Sequence, residues 1–125
     1  MQVILRALLL LGGAFFILMG LGFLFNPVGS AADFGLAPQG TQGLASIRAD
    51  MTAFFVISGI CMAWGTWSQK GDLLLAAAGL FGVAIIGRLV TLAADGTYEG
   101  WYLPIIVEVV AVVLALWGRQ SLIQT

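Results

Sequence analysis

The chain has 125 residues, of which 61% are hydrophobic and 9% charged, and its formal net charge is -1. A soluble domain carries about 25% charged residues, and a domain this small has too little interior to hide the excess of apolar surface. This composition excludes an ordinary soluble fold and predicts one integral membrane domain over residues 1–125.

The charge pattern and the missing residue types exclude several functions. Lys and Arg do not cluster anywhere in the sequence, so neither a nucleic acid nor an anionic lipid surface is an expected partner. The sequence has no histidine, and its one cysteine, Cys61, lies in an apolar run. No phosphate-binding loop or Gly-x-Ser-x-Gly motif occurs. We therefore expect no enzymatic activity, no metal and no cofactor.

Four apolar segments predict transmembrane helices, at about residues 3–25, 44–67, 73–94 and 101–118. At about 1.5 Å per residue each is long enough, or nearly so, to cross a hydrocarbon core of about 30 Å. The fold class that follows is all-α, an antiparallel four-helix membrane bundle. Asn26-Pro27 ends the first helix and is a suitable start for a short interfacial helix near residues 27–34. The connector up to Gly43 is either a plain cover over the bundle or a functional loop.

Charges in the connectors predict the orientation. The two termini and the connector between the second and third spans carry the basic residues Arg6, Lys70 and Arg119. The other two connectors carry only acidic residues, namely Asp33, Asp95 and Glu99. Because basic residues favour the cytoplasmic side, we expect both termini in the cytoplasm and the acidic connectors outside.

Small residues indicate where helices approach each other, because they let backbones come close in a membrane. Such residues recur at helical spacing on the first three spans, as Gly13 and Gly20, Gly59 and Ala63, and Ala78 and Gly82.

Ionisable residues inside the spans are the candidate site. They are Arg48, Asp50, Arg88 and Glu108, and their depths converge on the outer half of the bundle. A charge at bilayer depth costs at least about 2.5 kcal/mol, so these residues are expected to pair. Arg48 and Asp50 are two residues apart and point in different directions, so they need different partners. We expect Arg88 to pair with Asp50 or Glu108, and Arg48 with the other carboxylate or with the interfacial rim. The supporting polar residues at this level are Thr52, Thr91 and Tyr102.

Two roles fit this cluster. It either clamps the helices together, or it forms an outward-facing pocket for an ionic or amphipathic molecule such as a lipid headgroup. A second hypothesis is an accessory subunit of a larger membrane complex, or a homo-oligomer, in which leftover stripes of small residues would contact a membrane partner. The weakest hypothesis is a small transporter.

Short motifs also resemble the bacterial membrane family known as domain of unknown function 4345. They are Arg48 followed by Phe54, Phe55 and Gly59, then Gly87-Arg88, Asp95-Gly96, and Glu108 in the fourth helix. Where family members often carry Tyr-Gly or Phe-Gly soon after the arginine, this chain has Asp50-Met51-Thr52. The resemblance implies a four-helix protein of the bacterial inner membrane, similar in layout to the DoxX-like group. It implies no established activity.

Overall fold

The computed structural model describes residues 1–123, and within them every regular element is helical. The elements are α1 (Gln2–Phe25), α2 (Pro27–Ala32), α3 (Gly40–Ser46), one π-helical turn (Ile47–Met51), α4 (Thr52–Trp67), α5 (Gly71–Ala94) and α6 (Tyr102–Ser121). Helix α3, the π turn and α4 form one continuous run from Gly40 to Trp67. This run and the helices α1, α5 and α6 are each long and apolar enough to cross a membrane. The all-helical, four-span prediction is confirmed.

The boundaries differ from the predicted ones in informative places. The second span begins at Gly40, four residues before Leu44, and it contains a π turn that an apolar pattern cannot reveal. The short helix after Pro27 is present and ends at Ala32. As predicted, Asn26 is its N-cap, and the Asn26 side chain accepts a hydrogen bond from the Gly29 N–H at 3.4 Å.

Close backbone contact between α1 and α4 holds the first two spans together. A Cβ atom added at Gly59 would lie 2.5 Å from the Gly13 carbonyl oxygen, and one added at Gly20 would lie 2.9 Å from the Val56 nitrogen. The small residues of α1 and α4 therefore lie where the two helices approach each other, as predicted. Of the two small residues predicted on α5, Ala78 is buried, whereas Gly82 has no neighbouring atom within 4 Å of an added Cβ.

The two ends of the bundle are built from different parts of the chain. At one end the side chain of Gln2 donates to the Ser121 carbonyl oxygen at 3.1 Å, and Gly71 lies against Arg119. We call this the terminal end. At the other end Phe23, late in α1, stacks on Phe55, early in α4. We call this the connector end, because residues 26–39 and 95–101 connect the helices there.

Exposed aromatic rings mark both ends. Trp64, Trp67 and Trp117 lie toward the terminal end, and Tyr98, Trp101 and Tyr102 toward the connector end. The ammonium group of Lys70 lies 5.8 Å from the centre of the Trp64 ring. Such rings favour the level of the lipid headgroups, so their distribution is typical of a multi-pass membrane protein.

Candidate functional site

An ion pair between α5 and α6 is the centre of the candidate site. The Arg88 Nε–H donates to Glu108 Oε1 at 2.8 Å. The Glu108 side chain is only 7% exposed, and that of Arg88 is 27% exposed. Because charged groups need partners at this depth, each of the two residues supplies the opposite charge that the other requires inside an apolar bundle.

The turn between α5 and α6 brings these two residues to the same level. Gly96 has φ +99°, a left-handed conformation that glycine adopts without steric cost, and its N–H donates to the Thr91 carbonyl oxygen. This ends α5 and reverses the chain, so that α6 begins at Tyr102. Arg88 lies one and a half to two turns before the reversal, and Glu108 the same distance after it.

Six phenylalanines pack together toward the connector end, next to this pair, and a seventh, Phe15, contacts them through Phe16 at 5.4 Å. Phe55 is at their centre, and its ring lies 5.0 to 6.1 Å from four of the others. The members of this aromatic cluster are Phe16, Phe23, Phe34, Phe54, Phe55 and Phe81. Rings at these distances are in the range of favourable aromatic packing.

Two hollows meet at the Arg88 side chain. The first, which we call the mouth, has a volume of about 390 Å³ and is lined by residues that include Asp33, Arg88, Tyr98 and Glu99. The second, which we call the aromatic cavity, has a volume of about 80 Å³, and its walls include Phe16, Phe55, Phe81 and Glu108. Phe34, Arg88 and Pro104 belong to both walls. Arg88 therefore lies between the mouth, whose wall includes four polar or charged side chains, and an apolar cavity that Glu108 also lines.

Arg48 has a different partner from Arg88. Its Nε–H donates to the Leu24 carbonyl oxygen at 3.0 Å. That oxygen is one of the last four of α1, which have no partner within their own helix, and a cation is favourable at a helix C-terminus. Arg48 therefore caps α1 from the π turn of the next span. Asp50, on the same turn, is exposed and makes no ion pair within residues 1–123.

The three supporting polar residues lie apart from both hollows in residues 1–123. The Thr52 hydroxyl is buried and has no hydrogen-bond partner in this part of the chain. Thr91 is half-buried on α5. Tyr102 is exposed, and its ring packs edge-on against Trp101 at 5.7 Å. Of the seven predicted residues, the structure thus brings together Arg88 and Glu108.

Comparison with known families decides what the chain is related to. The family model described as Domain of unknown function (DUF4345) matches residues 4–119. The chain belongs to the DUF4345 family. The matched range contains all four spans almost entirely, together with the ion pair, the mouth and the aromatic cavity. No curated protein and no solved structure gives a significant match.

Sequence reasoning missed the polar wall of the mouth in this DUF4345 protein. In the sequence Asp33 and Glu99 indicate only the orientation, and Tyr98 is not singled out, yet all three line the mouth. The available signal was that Asp33 and Glu99 lie in the two acidic connectors, which are predicted on the same side of the membrane. Within the described part of the DUF4345 domain, no three His, Cys, Asp or Glu side chains are placed to hold a metal ion.

Proposed function

We propose that this DUF4345 protein is a non-enzymatic binding protein of the bacterial inner membrane. Its ligand is an amphipathic molecule that places a polar head in the mouth, beside Arg88 and Glu108, and an apolar part in the aromatic cavity. The observation that carries this proposal is the position of Arg88, which is bonded to Glu108 and lines both the mouth and the apolar aromatic cavity.

The geometry of Arg88 supports a role beyond holding α5 to α6. A guanidinium group has five N–H donors, and the bond to Glu108 uses the one on Nε. The side chain is 27% exposed and lines the mouth, so further donors are available to a ligand. A buried ion pair is in itself a poor source of stability, since desolvation offsets much of the attraction. A structural clamp explains the pair but leaves the two adjoining hollows without a role.

The first test is whether an amphipathic molecule copurifies with the protein. Native mass spectrometry of the wild-type protein, released from a mild neutral detergent, should show a bound lipid-sized mass. The variant carrying Arg88→Met together with Glu108→Gln replaces both charged side chains with neutral ones of similar volume. We therefore expect it to fold and to lose the bound mass. Asp72→Asn is the matched control, because Asp72 is an exposed carboxylate on α5 at the terminal end.

Two results would contradict this proposal. One is a wild-type protein with no adduct under conditions that preserve lipid adducts on other membrane proteins. The other is a double variant that retains the adduct at the wild-type level, since the ligand would then be bound elsewhere. Helix content, measured by circular dichroism, separates loss of the ligand from loss of the fold.

The mouth opens to the outside of the cell in this proposal, with both termini in the cytoplasm. The basic residues Arg6, Lys70 and Arg119 at the terminal end support this orientation. In a Cys61→Ala background, a cysteine introduced by Thr97→Cys should react with a membrane-impermeant maleimide in intact cells. A cysteine introduced by Gln69→Cys should react only after the cells are opened. The reverse pattern would place the mouth in the cytoplasm.

A second candidate is a role as an accessory subunit or in a homo-oligomer, and the outer face of α5 favours it. Gly79, Gly82 and Gly87 have no neighbouring atom within 4 Å of an added Cβ. Small residues of this kind let another membrane helix approach closely. Native mass spectrometry distinguishes the candidates, since a dimer that Gly82→Leu dissociates would support this role, and a monomer with bound lipid would support the first.

A further inference from the structure

A third hollow lies beside the aromatic cavity and is open on the lipid-facing side of the bundle, where Leu11 and Phe15 are exposed. It lies between α1 and α6, has a volume of about 390 Å³, and is lined almost entirely by apolar side chains such as Leu11, Phe15 and Val110. We call it the cleft. Phe16 and Val107 belong to the walls of both the cleft and the aromatic cavity. The mouth, the aromatic cavity and the cleft are therefore neighbours in that order, and each adjoining pair shares wall residues.

The charges around the first two hollows are unbalanced. The mouth and the aromatic cavity are lined by three carboxylates, Asp33, Glu99 and Glu108, and by one guanidinium, Arg88. Glu108 already compensates Arg88 at 2.8 Å. Asp33 and Glu99 make no ion pair within residues 1–123, so the mouth carries an excess of two negative charges. This field attracts a cation and repels an anionic head.

We propose that the ligand is an amphiphile with a protonated amine in its head, and that its apolar chain reaches the bilayer through the cleft. This inference rests on the proposed function and specifies its ligand. The amine lies in the mouth and donates to the carboxylates of Asp33 and Glu99, while an oxygen of the same head accepts from the remaining N–H donors of Arg88. The apolar chain of the ligand passes through the aromatic cavity at Phe16 and Val107 and continues between α1 and α6. There it contacts apolar side chains of the protein on one side and bilayer lipid on the other.

The shape of the path supports a single apolar chain at the narrow point. The aromatic cavity is much smaller than the mouth or the cleft, about 80 Å³ against about 390 Å³ for each. Its walls present phenylalanine rings, and only Arg88 and Glu108 contribute charge. A second polar group in the middle of the ligand would meet no partner there except the ion pair, and burying it without a hydrogen bond is unfavourable.

Matched single-chain probes test the charge of the head. Titration calorimetry at pH 7 in a neutral detergent would compare dodecylamine, which is protonated there, with dodecanoate, which has the same chain and the opposite charge. We expect the wild-type protein to bind dodecylamine at least tenfold more tightly. The variant with Asp33→Asn and Glu99→Gln should lose that preference. Asp95→Asn removes an exposed carboxylate from the connector that contains Glu99, but Asp95 does not line the mouth. This control variant should keep the preference for dodecylamine.

A bulky residue at the narrow point tests the path of the chain. Val107 and Val109 are both 42% exposed on α6, but only Val107 lines the aromatic cavity and the cleft. Val107→Trp should weaken dodecylamine binding at least tenfold, whereas Val109→Trp should leave it unchanged. Equal binding to both variants would exclude the proposed path. Circular dichroism of both variants confirms that the helices are intact.

Lipid nanodiscs distinguish two sources of the amine, namely a bilayer lipid and a free single-chain amine. Native mass spectrometry would compare discs of phosphatidylethanolamine, phosphatidylglycerol and phosphatidylcholine. Selective retention of phosphatidylethanolamine supports a bilayer lipid, and binding of dodecylamine without selective retention supports a free single-chain amine. A preference for dodecanoate or phosphatidylglycerol that depends on Arg88 would overturn the amine assignment and leave the proposed function standing. No binding of any amphiphile would overturn both.

Discussion

The two ends of the bundle are packed with different kinds of side chain. At the terminal end small residues meet leucines, as where Gly118 receives the Leu9 side chain and Gly65 lies against Leu74. Leu9 and Leu74 are fully buried there. At the connector end phenylalanine rings pack on one another, and the mouth and the aromatic cavity lie among and above them.

This difference separates the parts of the molecule that hold the fold from the part that offers a site. Small residues let the backbones of neighbouring helices touch, whereas the phenylalanine rings at the connector end surround a cavity of about 80 Å³. The connector end also contains the ion pair, the Arg48 cap and the π turn, and π turns occur frequently at functional sites. We call the close contact between α1 and α4 at Gly13 and Gly59 the seam. We expect mutations in the seam to affect stability, and mutations of the mouth to affect binding.

The largest predicted effect comes from breaking the ion pair on one side. Arg88→Met leaves the carboxylate of Glu108 buried without a partner, and Glu108→Gln leaves the guanidinium uncompensated. Each single change should lower the free energy of unfolding by about 3 kcal/mol or more. The double change removes both charges and should cost about 1 kcal/mol, so the cycle should show strong coupling. Unfolding in mixed micelles, followed by circular dichroism, measures all three.

A double variant that loses as much stability as the two single variants added together would show that the residues do not act as a pair. In that case the ion pair would not explain how two charges are accommodated at this depth.

The second prediction concerns the seam between α1 and α4. Gly59→Ala places a methyl group against the Gly13 backbone and should destabilise the protein by about 2 kcal/mol, because neither backbone can move away without separating the helices. Gly82→Ala adds the same methyl group where no atom lies within 4 Å. This control should change stability by less than about 0.5 kcal/mol. The same unfolding assay applies, and similar losses at both positions would contradict the seam.

The smallest predicted effect is that of Arg48→Met. The loss of one hydrogen bond to the Leu24 carbonyl oxygen, at the exposed end of α1, should cost about 1 kcal/mol. Hydrogen exchange should rise in the last turn of α1 and remain unchanged at the terminal end. Asp50→Asn, on the same π turn, should affect neither stability nor exchange, because Asp50 is exposed. A loss comparable to that of Arg88→Met would mean that Arg48 belongs to the central cluster.

Much of the fold could be predicted from the sequence because its physical causes are local. Long apolar segments and the turn at Asp95-Gly96 determine the spans, and their lengths place Arg88 and Glu108 at one depth. Pairing then follows, since an isolated charge is costly in a membrane. The structure selects Glu108 over Asp50 as the partner of Arg88.

The remaining features depend on contacts between distant segments. The partner of Arg48 is a backbone oxygen, and any residue type at position 24 would present the same atom. The π turn changes the direction of Asp50 without any signal in residue type. The aromatic cavity requires rings from four separate segments to meet, and phenylalanine in a membrane helix contacts lipid as readily as protein.

The central claim is that the mouth and the aromatic cavity hold an amphipathic ligand beside Arg88 and Glu108. A crystal structure of the protein grown from a lipid mesophase tests this claim most directly. We predict elongated non-protein density that extends from the mouth, past the ion pair, into the aromatic cavity. A map in which both hollows contain only water, with Arg88 and Glu108 bonded solely to each other, would contradict it.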